Sequence, residues 1–218
     1  MIPIKDASAA KRGWPLITVL VVLANLAMFV EEVRSGTRIF DLYGVSPHDI
    51  YIYLTRGTGS LLAIHRSIFV SGFIHGGYIH LCGNMLFLSV FGPAVEKELG
   101  WMRFVVFYAA AVFAAFYTHA IVHPHSEVIV VGASGAIAAV MGAYLVLFPR
   151  AKIVTLVPII FLIKIVEVPA LIFMAGWFAL QGASGYLSLG APTSIAWFAH
   201  IGGFLMGLTV GLHHRFSA

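Results

Sequence analysis

The stretch VPALIFMAGWFALQGASGYLSLGAPTSIAWFAHIGGFLMGLTVGLHH, residues 168–214, contains no Asp, Glu, Lys or Arg. A helix needs about 20 mainly apolar residues to cross the hydrocarbon core of a bilayer, and this run is roughly twice that long. Gly182-Ala183-Ser184-Gly185 and then Gly190-Ala191-Pro192 interrupt it, so it reads as two spans joined by a turn.

Similar charge-free gaps lie between Arg12 and Glu31, Arg66 and Glu96, Arg103 and Glu127, and Glu127 and Arg150. Six spans are expected, near Trp14–Val30, Tyr78–Val95, Phe104–Ile121, Val130–Phe148, Phe161–Gln181 and Ile195–Leu212. The fifth includes Lys164 and Glu167, whose spacing places them on one helix face where they pair or reach the interface. Ile153–Leu162, interrupted by Pro158, is too short to span and is expected along the surface. Composition agrees: only 10% of the 218 residues are charged, where a soluble domain has about 25%. Mean hydropathy is +0.95. The sequence predicts an all-α polytopic membrane protein, one six-helix membrane domain over residues 1–218. Residues 1–13 form a terminal segment, 31–77 a large first outer loop, and 213–218 a tail. The apolar stretch after Arg12 lacks a small-residue cleavage site and reads as a retained first span rather than a secretory signal.

Six spans put both termini on one side of the membrane. Lys5, Lys11, Arg12, Lys97, Arg103, Arg150, Lys152, Lys164 and Arg215 then share that side, against Arg34, Arg38, Arg56 and Arg66 on the other. The bias makes the terminal side cytoplasmic. The net charge of +4 is this asymmetry and not a nucleic-acid patch. Cys82 is the only cysteine, which excludes an internal disulfide and leaves it a small apolar role in the second span. The first loop mixes charges with Ile39-Phe40, Tyr43, Tyr51–Leu54 and Leu61–Ile64, the pattern of a folded segment resting at the interface.

Polar groups inside a bilayer are costly, so each one asks for a role. His80 and Asn84 lie a few residues into span two, Ser134 about four into span four, and His200 about five into span six. These three spans run in the same direction, and helical rise then sets all four residues at one shallow depth below the outer surface. Ser134 lies in Gly132-Ala133-Ser134-Gly135. A serine hydroxyl becomes a nucleophile when a base such as histidine takes its proton, and a helix N-terminus offers N–H groups to an oxyanion. Small-residue packing between membrane helices accounts for the same four letters. Gly182-Ala183-Ser184-Gly185 repeats them at the end of a span, where no helix begins. Gly203, Gly207 and Gly211 recur every four residues, a smooth face for close approach of a partner helix, and His200 lies beside it. The expected partner is span four, with Gly135 and Gly142. His80 and Asn84, four apart, share a face and can donate to an oxyanion or tie helices together. His75 reads as structural.

These residues resemble the rhomboid intramembrane serine proteases over nearly the whole chain. His80-Leu81-Cys82-Gly83-Asn84 is similar to the family's His-x-x-x-Asn, and Gly132–Gly135 to its Gly-x-Ser-Gly. Ala199–Gly203 with Gly207 is similar to its Ala-His-x-x-Gly-x-x-x-Gly. The resemblance implies a rhomboid-like bundle and a Ser134–His200 dyad working through an acyl-enzyme without an aspartate. It assigns the oxyanion hole to His80, Asn84 and the Ser134 backbone N–H. It also implies that Trp177 and Phe178 belong to a lateral gate for single-span membrane protein substrates within the lipid bilayer. No metal or other cofactor is implied. The loop-poor chain suits a bacterial inner membrane. Three departures stand out: His65-Arg66 replaces the family's Trp-Arg, the interval from Arg66 to His75 is one residue longer, and Ala138 occupies a position that is aromatic in some relatives.

Other intramembrane chemistries fit less well. No His-Glu-x-x-His string is present for a zinc protease, and Asp6, Asp41 and Asp49 all lie outside the spans. A haem- or metal-binding membrane protein or transporter is suggested by the ten histidines. Yet His119, His123, His125, His213 and His214 read as residues at water-facing helix ends. A rhomboid-like binding protein without activity is a third reading, against which the intact serine and histidine stand.

Overall fold

The computed structural model describes residues 1–7, 14–159, 162–189 and 195–217. The Gly190–Pro192 turn, Lys11, Arg12 and the expected start of span five at Phe161 lie outside them. Six long or central helices form the bundle: α1 (Leu16–Ser35), α5 (Tyr78–Leu99), α6 (Trp101–Val122), α7 (Ser134–Leu147), α8 (Ala170–Leu187) and α9 (Trp197–Ser217). Between α1 and α5 the first loop folds into α2 (Arg38–Tyr43), α3 (Pro47–Arg56) and α4 (Leu61–Ser71). By length and composition α1, α5, α6 and α8 are each able to cross a membrane. The chain is an integral membrane protein of all-α, polytopic type.

Local chemistry sets the helix ends. The first turn of α1 has Pro15 ahead of it and no side-chain cap of its own. Glu96, on the last turns of α5, supplies one from a distance. Its carboxylate accepts from Ile17 N at 2.9 Å, Thr18 N at 2.7 Å and Thr18 Oγ1 at 2.7 Å. The two backbone N–H groups are donors that a helix start leaves without partners, and a negative charge suits the positive end of the dipole. Helix α3 opens with a capping box, Ser46 with Asp49, and has Pro47 in its first turn.

Helix α7 is the central element. Every residue from Gly135 to Tyr144 is buried. It packs against α9 along the glycine face, where a Cβ on Gly203 would collide with the Gly135 carbonyl and one on Gly207 with the Ala139 carbonyl. Gly142 meets the Phe204 carbonyl in the same way. The expected partnership of spans four and six is thus the tightest seam of the fold.

Two expectations need correction. Span four was expected over Val130–Phe148, but the helix begins only at Ser134. Val130 pairs instead with Val45 of the first loop, and Gly132 N donates to the Ser71 carbonyl at 2.9 Å. These two bonds to the first loop, with Gly132 at φ +124°, hold residues 130–132 in a non-helical course, so the helix starts after them.

Span five was expected to start at Phe161 and to hold Lys164 and Glu167. Instead β2 (Lys152–Ile159) and β3 (Leu162–Pro169) form an antiparallel hairpin, and β1 (Ile2–Asp6) pairs with the other edge of β2. Lys164 and Glu167 therefore point to opposite faces of a strand. Glu167 pairs with Lys152 at 3.4 Å on an exposed surface. Ile153, Val154, Thr155, Val157, Ile163, Ile165, Val166 and Val168 are β-branched, which favours a strand. Pro169 then ends the hairpin and starts α8.

Candidate active site

Ser134 is the first residue of α7, and the chain reaches it through Gly132 at φ +124°. That backbone conformation suits glycine, and so does the space, because a Cβ there would lie 2.8 Å from His80 Cε1. The small residue ahead of the serine thus lets His80 of α5 lie directly against the loop. Ser134 Oγ is 2.8 Å from His200 Nε2 on α9. The contact joins residues 66 apart in sequence, carried by the two helices that the glycine seam brings together.

The other ring nitrogen of His200 is also engaged. Nδ1 lies 2.7 Å from Oε1 of Gln181, a buried residue of α8. The Trp177 and Trp197 rings flank the imidazole, each with its centroid 6.1 Å away. The position four residues after the serine is the buried Ala138, so aromatic contact with His200 comes from α8 and α9 rather than from α7.

Asn84 is buried, and among the described residues its side-chain Nδ2 has no hydrogen-bond partner. A buried donor without a partner costs about 1–3 kcal/mol, and this amide lines a cavity from which an acceptor can reach it. His80 Nδ1 accepts from Gly76 N at 3.4 Å, and its ring meets His75 edge-on at 5.1 Å. His75 is itself fixed in the loop ahead of α5, where its backbone N donates to Glu32 Oε1 at 2.9 Å. Burial first, then the neighbouring His80 charge, push the His75 pKa down to about 4, against the Phe73 carbonyl bond. It is a neutral ring near neutral pH.

Ser134, His200, His80, Asn84, Trp177 and Gln181 all line one cavity of about 940 Å³. The cavity has α5 on one side and α8 on the other, with Phe87 of α5 among its lining. Phe87 and Phe173 of α8 approach with ring centroids at 6.3 Å across the gap between these helices. Phe178 packs on Phe204 of α9 at 4.7 Å and lies outside the lining. Ser184, of the second Gly-Ala-Ser-Gly, falls in the last turn of α8 with no helix beginning there.

Sequence reasoning missed two lining residues. His119 was expected at a water-facing end, yet it is buried in α6 and faces the cavity. Phe104, Tyr108, Ala111, Ala115 and His119 are buried at helical spacing, and that stripe would have placed it inside. Gln181 is a polar side chain in the charge-free stretch 168–214, four residues after Trp177, and meets the test that singled out Ser134 and His200. Among the described residues no group of three or more His, Cys, Asp or Glu side chains is gathered to hold a metal.

A hydroxyl bonded to an imidazole, an amide donor without a partner and a helix N-terminus facing one cavity are the parts that acyl transfer requires. The family model for the Rhomboid domain matches residues 64–215. The chain is 32% identical over 157 residues to Rhomboid protein 1, mitochondrial, of Saccharomyces cerevisiae, an alignment covering 66% of this chain and 40% of the relative. It is 29% identical over 231 residues to RHOMBOID-like protein 4 of Arabidopsis thaliana, covering 92% of this chain and 53% of the relative. With the Putative rhomboid protease YdcA of Bacillus subtilis it shares 28% identity over 107 residues, 47% of this chain and 53% of the relative. The chain thus spans about half the length, or less, of these relatives.

Proposed function

This chain belongs to the rhomboid family, and we propose that it is an intramembrane serine endopeptidase with Ser134 as nucleophile and His200 as general base. The substrate is a single-span membrane protein whose helix approaches laterally, beside α8, and unwinds at a helix-weak site. His200 Nε2 takes the Ser134 proton as Oγ attacks the peptide carbonyl, forming the tetrahedral intermediate. Asn84, His80 and the Ser134 backbone N–H hold the oxyanion. Collapse of the intermediate passes the proton from His200 to the leaving amine and leaves an acyl-enzyme. Water then repeats the sequence, with His200 again as base, and frees Ser134.

One observation carries this reading: the 2.8 Å contact between Ser134 Oγ and His200 Nε2 in a cavity bounded by α5 and α8. The shortness of α7 supports access of water. Its 14 residues extend about 21 Å, less than the roughly 30 Å of a hydrocarbon core, so loop and cavity fill the remaining thickness above Ser134. The same reading takes the whole chain as one domain, sets both termini in the cytoplasm, and suits a bacterial inner membrane. Trp177, against His200 and in the cavity, and Phe178, one residue on, belong to the substrate access region.

The test is cleavage of a model single-span substrate in liposomes, together with labelling by a fluorophosphonate. Wild type cleaves and labels, and Ser134→Ala does neither. Retention of both by Ser134→Ala, with loss of both in Ser184→Ala, overturns the assignment.

A further inference from the structure

A serine–histidine pair works only if the ring proton sits on the far nitrogen. His200 Nε2 faces Ser134 and must be bare to take a proton, so Nδ1 must carry the hydrogen and needs an acceptor. The Gln181 amide oxygen lies 2.7 Å from Nδ1, and Gln181 is buried. The reverse arrangement, with the Gln181 amide donating to Nδ1, would move the ring proton to Nε2, where it would point at the serine. Such a ring could not act as base. Trp177 and Trp197 flank the imidazole but supply neither donor nor acceptor in these contacts.

We propose that Gln181 is the positioning residue of the base: its amide oxygen accepts Nδ1–H of His200 and fixes the tautomer whose Nε2 faces Ser134. The inference rests on the reading of Ser134 and His200 as nucleophile and base. Gln181 takes up no proton itself. It holds the ring while the proton passes between Ser134, His200 Nε2 and the leaving amine. The arrangement is a triad whose third member is a neutral amide, contributed by α8, the helix beside which the substrate enters.

The experiment has two arms on the same preparations, wild type, Gln181→Met and Gln181→Glu. Methionine keeps the length of the side chain but removes the amide acceptor, while glutamate keeps an oxygen in place. In the first arm, protein labelled with 15N-histidine is examined by NMR, with the His200 signals identified by their loss in His200→Gln. Wild type and Gln181→Glu show the hydrogen on Nδ1, and Gln181→Met shows it shifted to Nε2 or shared. In the second arm, Gln181→Met lowers kcat about 10–10³-fold at unchanged KM, bounded by the roughly 10⁴-fold that a wrong-tautomer histidine costs a Ser-His-Asp enzyme. Gln181→Glu recovers most of that loss. A wild-type His200 protonated on Nε2, or a tautomer unchanged in Gln181→Met, overturns the proposal. So does a Gln181→Met variant that raises KM alone, because that marks a substrate contact instead. The tautomer is read without turnover, so cleavage by Ser134→Ala would refute the catalytic reading separately.

Discussion

At the scale of single residues, Asn84 is informative because it has a hydrogen bond left unmade. Asn84 is buried with a free Nδ2 among the described residues, which is unfavourable unless something arrives to accept from it. An oxyanion is such an acceptor. Asn84→Ala is expected to lower kcat about 10²–10³-fold, the usual cost of one oxyanion donor. Its thermal stability should match wild type or exceed it, since a buried donor without a partner is removed. A variant equally active, or one that loses activity only through unfolding, would assign Asn84 to structure instead. Gly132 serves by what it lacks, its missing Cβ giving His80 room against the serine loop.

Between elements, two contacts organise the bundle by opposite means. The α7–α9 seam is made by absence: Gly203 and Gly207 lie on the backbone of α7, and a methyl group at either would force the helices apart. Because Ser134 and His200 ride on those helices, widening the seam would also lengthen the 2.8 Å contact. At one end the α1–α5 contact is made by a carboxylate, with Glu96 capping a helix far from it in sequence, while Phe29 packs on Leu81 and Met85 at the other. Glu96→Ala removes the acceptor of three hydrogen bonds. Caps are worth about 0.5–2 kcal/mol, and charged bonds lie at the upper end. A clear drop in melting temperature in detergent is expected, with a smaller drop for Glu96→Gln, which keeps one oxygen. Equal melting of all three proteins would show that α1 does not depend on this cap.

For the whole molecule, the cavity is bounded by α5 and α8, and these two helices meet through aromatic rings. Phe87 is half-buried and touches Phe173 across the gap. An aromatic pair is worth about 0.5–1.5 kcal/mol, which sets a ceiling of about two- to tenfold on what removing it can do to a rate. Phe87→Ala is expected to speed cleavage of a membrane-embedded substrate within that range, while labelling by a small fluorophosphonate stays unchanged. An equal change in both would mean that Phe87 supports the catalytic groups rather than the passage of a helix. The β1-β2-β3 sheet adds a second tie, since β3 runs directly into α8 and β1 packs beside α5.

Composition alone dictated a great deal here. Hydrocarbon excludes charge, so the long gaps without Asp, Glu, Lys or Arg marked the helices whatever their neighbours were. The same cost of burying polarity singled out Ser134, His200, His80 and Asn84, and four-residue glycine spacing named the seam that aligns two of them. Folding in three dimensions decided the rest, because short apolar runs suit a strand as well as a helix. β2 paired with β3 on one edge and, on the other, with β1 from the first residues of the chain. Bonds from the first loop set the start of α7, and the packing of α8 on α9 brought Gln181 to His200, a contact between helices that no local pattern encodes.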